Sequence, residues 1–311
     1  MRLIFAGTPN AAIPSLEAIA ASHHDLIAVI TRPDAARGRG REQGASAVGQ
    51  RAEELGLRVL KPESPRDDTL HRQLRELNPE CCPIVAYGGL IPADLLSVPT
   101  YGWVNLHFSL LPAWRGAAPV HHAIAHGDDI TGATTFRLTE GLDAGPVFGT
   151  VTEPIEARDT TGDVLGRLAQ SGAELLVHTL NGIERGELAP QEQPADGVTL
   201  APKVTPADAR VRWHEPALSI DRRIRSNTPS PGAWTQWADR RVGLLPLSTA
   251  AVQHGEPPLA PGAIRVTKRE LWVGTGSGDV LLGDVRPEGK GTMPASDWAR
   301  GARLHDGDVF T

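Results

Sequence analysis

Several things are scarce in this chain, and each scarcity removes a class of protein. It has only two cysteines, Cys81 and Cys82, adjacent in an apolar run that ends at Pro83. Neighbours in a strand point to opposite faces, so this pair suits neither a structural disulfide nor a metal clip. Both are read as packing residues, and such usage fits a reducing compartment, so the expected location is the cytoplasm. No apolar run approaches the roughly 20 residues that a membrane helix needs. The opening residues, Arg2 to Gly7, read at once as a strand entering a turn, which leaves no room for a signal or transit peptide. Internal repeats are absent. So is a nucleophile elbow, and so is the three-glycine dinucleotide fingerprint after the first strand: Gly7-Thr8-Pro9 stands there, and Pro9 lacks an amide for phosphate. A nicotinamide cofactor is not expected. Of the 31 basic residues only 4 are lysines, a bias that runs along the whole chain.

A length of 311 residues with 40% hydrophobic content suits two domains. Over residues 1–188, short apolar runs alternate with amphipathic stretches, as in an α/β domain with a largely parallel sheet. Strands are expected at 3–6, 26–31, 58–60, 83–86 and 103–107, and helices at 12–22, 45–55, 67–77 and 161–185. Residues 189–206, rich in Pro, Gln and Glu and without periodicity, read as a linker. Beyond it, at 207–311, short alternating runs (211–213, 232–237, 241–247, 262–266, 270–274, 279–285) surround one helical stretch at 217–227. That pattern fits a small β-barrel of five or six strands, in the size range of oligonucleotide-binding (OB) barrels. The net charge of -6 is uneven: from Pro206 onward 14 basic residues face 12 acidic ones, a net +2, against -8 for the remainder. The small excess is a hint of a polyanionic partner.

Three segments carry chemistry. In Trp103-Val104-Asn105-Leu106-His107, Asn105 and His107 are two apart and project from one strand face, next to a loop beginning Ser109-Leu110-Leu111-Pro112. Open α/β sheets place ligands at such strand ends. Gly141-Leu142-Asp143-Ala144-Gly145-Pro146 is a tightly shaped loop that presents one carboxylate, although such an Asp taken alone is more often a turn former. Arg37-Gly38-Arg39-Gly40-Arg41 reads either as a solvated surface loop or as a flexible arginine finger for phosphates.

Together, Asn105-Leu106-His107, Ser109 to Pro112, Arg115-Gly116-Ala117-Ala118-Pro119 and Gly141 to Gly145 resemble the 10-formyltetrahydrofolate-dependent formyltransferases. The arginine-glycine loop, Ala86-Tyr87-Gly88, Arg225-Ser226-Asn227-Thr228-Pro229, Pro261-Gly262 and the terminal barrel make the chain similar to the subgroup that formylates methionyl initiator tRNA. One departure stands out: the family commonly has glycine where this chain has Phe108.

The resemblance implies a Rossmann-like catalytic domain, 10-formyltetrahydrofolate as co-substrate and a methionyl-tRNA partner, with no metal. It also implies that Ser109, Leu110, Leu111 and Pro112 line the folate site, for which Leu90 and Ile91 offer further apolar walls. Formyl transfer needs hydrogen bonds for a tetrahedral oxyanion and a route for a proton. Asn105 is expected to donate to the oxyanion beside His107, and Asp143 to favour the cationic imidazole, orient it and take a proton from the attacking ammonium. Arg37, Arg39 and Arg41 are expected to meet tRNA phosphates. Two alternatives remain at this stage. One is a relative acting on a small amine (a glycinamide ribonucleotide or an amino sugar nucleotide) or hydrolysing the folate. The other is a non-catalytic RNA-binding protein. Nothing in the sequence demands an oligomer, and a monomer is expected.

Overall fold

The computed structural model describes residues 1–37, 42–248 and 257–311. These divide into two compact units, one of 1–119, 130–154 and 165–201, the other of 120–129, 155–164 and 202–311. The break after Ala201 falls inside the stretch read as a linker.

The first unit is built on a seven-stranded sheet. Its spatial order is Val147–Pro154, Ile130–Arg137, Trp103–His107, Cys82–Val85, Arg2–Gly7, Asp25–Ile30 and Val59–Leu60. The last five run parallel, and Ile130–Arg137 and Val147–Pro154 add an antiparallel edge. Leu3, Ile4, Phe5 and Ala6 are all buried, because helices cover both faces of a parallel sheet. Four helices expected from the sequence are present as Ile13–Ala20, Ala47–Glu54, Asp68–Leu77 and Thr161–Glu184. Two of them carry the caps their sequences offer: Ser46 Oγ accepts from the Gly49 amide, and Asp67 from the Thr69 amide. Cys81 and Cys82 are buried free thiols, and burial pushes Cys81 up to about 12. The chain leaves Arg2–Gly7 toward one sheet edge and returns to pair Cys82–Val85 on its other side. That reversal marks the switch point at which such sheets hold ligands.

The second unit pairs its strands in two antiparallel sheets, Trp234–Trp237, Arg240–Leu244, Asp284–Pro287, Met293–Pro294 and Ile264–Val266, Leu271–Thr275, Gly278–Leu281. The run expected at 279–285 divides at Leu282 and Gly283, where the chain passes from one sheet to the other. Residues 211–213, expected as a strand, form none. Val211 and Trp213 are nevertheless buried in the same core, so the alternation reported burial without a ladder. Trp213 and Trp298 both stack on Phe310, with ring centroids 5.7 and 6.1 Å away. Among the described residues no helix is long and apolar enough to cross a membrane.

Because Trp298 is 5% exposed and packs in this stack, Trp298→Ala is expected to cost about 3–5 kcal/mol. A denaturant melt followed by fluorescence of the remaining tryptophans checks this.

Candidate active site

Asn105 and His107 leave the same face of the Trp103–His107 strand, which lies between Cys82–Val85 and Ile130–Arg137. Asn105 is half-buried and makes no side-chain hydrogen bond among the described residues, so its amide stays available to a ligand. His107 is buried. Its ring meets Phe136 edge-on at 6.4 Å, and its Nε2 lies 2.8 Å from the Trp114 carbonyl oxygen. A carbonyl can only accept, so Nε2 carries the proton, and Nδ1 of the neutral ring is a bare acceptor. That Nδ1 faces Asp143 Oδ2 at 3.8 Å.

Asp143 sits at φ +46°, in left-handed backbone that its short side chain tolerates. Its Oδ2 accepts a 2.8 Å hydrogen bond from the Gly116 amide. Two glycines make this approach possible. A Cβ on Gly145 would lie 1.8 Å from the Arg137 carbonyl oxygen, and one on Gly116, at φ +127°, would lie 2.5 Å from the Ala201 carbonyl oxygen. The three residues read as catalytic therefore converge, although 36 positions separate His107 from Asp143.

Two effects oppose each other at His107. Burial pushes the imidazole below its ordinary 6.5; the Asp143 carboxylate and the Trp114 carbonyl pull it upward without reversing the shift. Asp143 thus favours the cationic form, and burial, the larger effect, favours the neutral ring.

A cavity of about 500 Å³ opens beside these groups, at the carboxyl ends of Cys82–Val85 and Trp103–His107. Leu90, Ile91, Phe108 and Leu142 give it apolar surface, and Asn105, His107 and Asp143 supply the polar groups. Phe108 is thus one of its walls. Ser109, Leu110, Leu111 and Pro112 are not among the residues that line this cavity. Ser109 Oγ donates to the Ala113 carbonyl at 2.6 Å, and Thr134 Oγ1 donates to the Ser109 carbonyl at 2.7 Å and lies 3.2 Å from the Leu111 amide. Those four residues form a fastened turn that carries the chain from His107 to Trp114.

The stretch read as a linker also belongs here. Leu200–Ala201 pairs with Arg115–Gly116, the Trp114 amide donates to Thr199 Oγ1 at 2.8 Å, and Gln191 and Val147 exchange backbone hydrogen bonds. Gln193, not expected as a site residue, bonds both loops around the acid. An aperiodic run gave no signal for it. Arg37 ends a short strand, Ala35–Arg37, paired with Glu42–Gly44, while Arg39 and Arg41 lie outside the described residues.

The formyl transferase family model matches residues 1–180, and the model of the formyl transferase C-terminal domain matches 203–303. The chain is 59% identical over 310 residues to methionyl-tRNA formyltransferase of Thermobifida fusca (strain YX), covering 100% of this chain and 99% of that one. Among solved structures, methionyl-tRNA formyltransferase from Clostridium thermocellum shares the fold with a TM-score of 0.57 at 15% identity, over 80% of this chain and 93% of that one. The N-formyltransferase from Helicobacter canadensis, in complex with folinic acid and dTDP-3-aminofucose, does so with a TM-score of 0.66 at 16% identity, over 90% and 97%.

The lowered His107 value has a definite sign. A buried neutral imidazole contributes stability that is complete above the unfolded value of about 6.5 and is lost as pH falls through the lower folded-state midpoint. An NMR titration of labelled histidine is expected to place His107 below 6.5. Asp143→Asn should move it lower still, since the carboxylate is what raises it.

Proposed function

This chain belongs to the formyl transferase family, and from that premise we propose that it moves the formyl group of 10-formyltetrahydrofolate onto the free amino group of methionyl initiator tRNA. The observation that carries the chemistry is the convergence of Asn105, His107 and Asp143 at one cavity wall, with the Asn105 amide unbonded among the described residues and the acid held by the Gly116 amide. The acceptor is favoured by full-length identity to a methionyl-tRNA formyltransferase. The small-amine alternative is not favoured by that likeness. Neither is the non-catalytic one, which gives no reason for the three groups to converge.

The folate lies in the cavity, its flat ring against apolar walls that include Leu90, Ile91 and Phe108, with the formyl carbon at Asn105. The methionyl amine attacks that carbon, a C–N bond forms, and the formyl oxygen becomes an oxyanion that accepts a hydrogen bond from Asn105. The new centre carries an ammonium proton that must leave. Asp143 keeps Oδ1 free of hydrogen bonds among the described residues, and neutral His107 offers Nδ1 beside it. The pair accepts the proton, and an imidazolium formed at His107 is stabilised by the carboxylate 3.8 Å away. Collapse of the oxyanion then breaks the bond to the folate nitrogen, which takes up a proton as it leaves. The substrate supplies its own nucleophile, so no covalent enzyme intermediate is required.

Arg37, Arg39 and Arg41 are assigned to tRNA phosphates, supported by three guanidinium groups within five residues and by glycines that let the backbone approach. The stretch from Pro206 onward, with its net +2, is assigned to the same polyanion.

Two outcomes test this reading. Asn105→Ala and Asp143→Asn should each lower single-turnover transfer to methionyl initiator tRNA by about a hundredfold in a folded protein, and near-normal transfer by either would overturn its assignment. Replacing the three arginines together should flatten the log–log salt dependence of tRNA binding by about 2, each phosphate contact being worth about 0.7–0.9. An unchanged slope removes the loop from the interface.

A further inference from the structure

The carboxylate that the proposed mechanism uses sits on a loop whose position must be fixed from outside it. Two segments converge on Asp143. Residues 114–116 supply the Trp114 carbonyl that orients His107 and the Gly116 amide that orients Asp143. Residues 141–146 carry the acid itself. One side chain bonds both. The Gln193 Nε2 group donates to the Asp143 carbonyl at 2.8 Å and to the Gly145 carbonyl at 2.8 Å. Its Oε1 accepts from Arg115 Nε at 3.2 Å and from Nη2 at 2.6 Å. Both amide protons and both acceptor sites are thereby used, an arrangement only a primary amide satisfies. Every other residue from Gln191 to Leu200 is exposed, and Gln193 alone is turned inward.

From this the geometry points to Gln193 as the positioning residue for Asp143, a group that never touches substrate and fixes the backbone from which the carboxylate reaches Gly116 and His107. The inference rests on the reading of Asp143 as a catalytic acid–base group. A hydrogen bond to the Asp143 main chain acts at the hinge of its side chain, so losing it displaces the carboxylate without removing it. A misplacement of a reacting group by ~1 Å costs about 100-fold in rate, so loss of a group that holds the acid from behind is expected to slow transfer by about 10–100-fold. Gln193→Glu separates the two halves of the clamp: the carboxylate keeps Arg115 but turns acceptor oxygens toward the Asp143 and Gly145 carbonyls. Gln193→Met keeps length and loses all four bonds.

The experiment uses the full chain with 10-formyltetrahydrofolate and methionyl initiator tRNA, under single-turnover conditions with enzyme in excess. Gln193→Glu, Gln193→Met, Asp143→Ala and the double variants are compared. For both Gln193 variants the expected result is transfer slowed by about 10–100-fold, with half-saturation for either substrate within about twofold of the parent. In the Asp143→Ala background, Gln193→Glu should bring no further loss, since a residue that acts only through another has nothing left to position. A folded Gln193→Glu protein with rate within twofold of the parent overturns the inference. So does a loss that multiplies fully with that of Asp143→Ala, which would mark a merely structural role. If Gln193→Met fails to fold, Gln193→Glu, which retains the Arg115 contact, decides alone. Normal transfer by Asp143→Ala itself defeats the catalytic reading of the acid, whatever Gln193 does.

Discussion

The single hydrogen bond from the Gly116 amide to Asp143 Oδ2 joins the two loops on which the site depends. On one side of it lies the segment whose Trp114 carbonyl fixes the His107 tautomer; on the other lies the left-handed residue that carries the acid. A hydrogen bond from an amide to an ionised carboxylate contributes about 1.5–3 kcal/mol. It also sets a direction, because it occupies one carboxylate oxygen and leaves the other for a proton. The bond exists only because Gly116 and Gly145 let backbone pass against backbone at Ala201 and Arg137. Neither glycine is chemical, yet a methyl group at either would push apart the two loops that the mechanism needs together.

Burial of His107 sets the other half of the chemistry. A solvent-exposed imidazole beside a carboxylate would be drawn toward its cationic form. Enclosure by the sheet and Phe136 makes desolvation the larger effect, so the resting ring is neutral and its Nδ1 can accept. The same carboxylate that fails to protonate the ring at rest stabilises it once a proton arrives. A poised acceptor needs both conditions, low basicity beforehand and a counter-charge afterwards. A sequence displays the counter-charge and hides the burial.

What was legible in the sequence follows from how far each signal reaches. The strand carrying Asn105 and His107 ends where alternation said it would, since period two is a local property. The loop around Asp143 was legible as a turn from the glycines on either side of it, a local signal, whereas the role given to its carboxylate came from the company of Asn105 and His107 and from the resemblance. The strands Ile130–Arg137 and Val147–Pro154 were not anticipated. The first is buried at six of its eight positions and rich in threonine, so it shows no alternation. The second contains Gly149 and ends at Pro154, which reads as a loop. Ser109, Leu110, Leu111 and Pro112 were assigned to the folate by the resemblance, since apolar loop residues by themselves look alike whether they face a ligand or the protein. Thr134, which fastens that loop from a neighbouring strand, lies 25 positions from Ser109.

Gln193 marks the limit of such reading. A stretch without periodicity is ordinarily a linker because it buries nothing repeatedly. Repetition is needed to build a core, however, and not to build a clamp. Between Gln191 and Ala201 the chain holds the first unit through a few isolated bonds: a backbone pair at Val147, one inward amide, and a two-residue ladder beside Arg115. Each is a single event with no period, so no pattern could announce it.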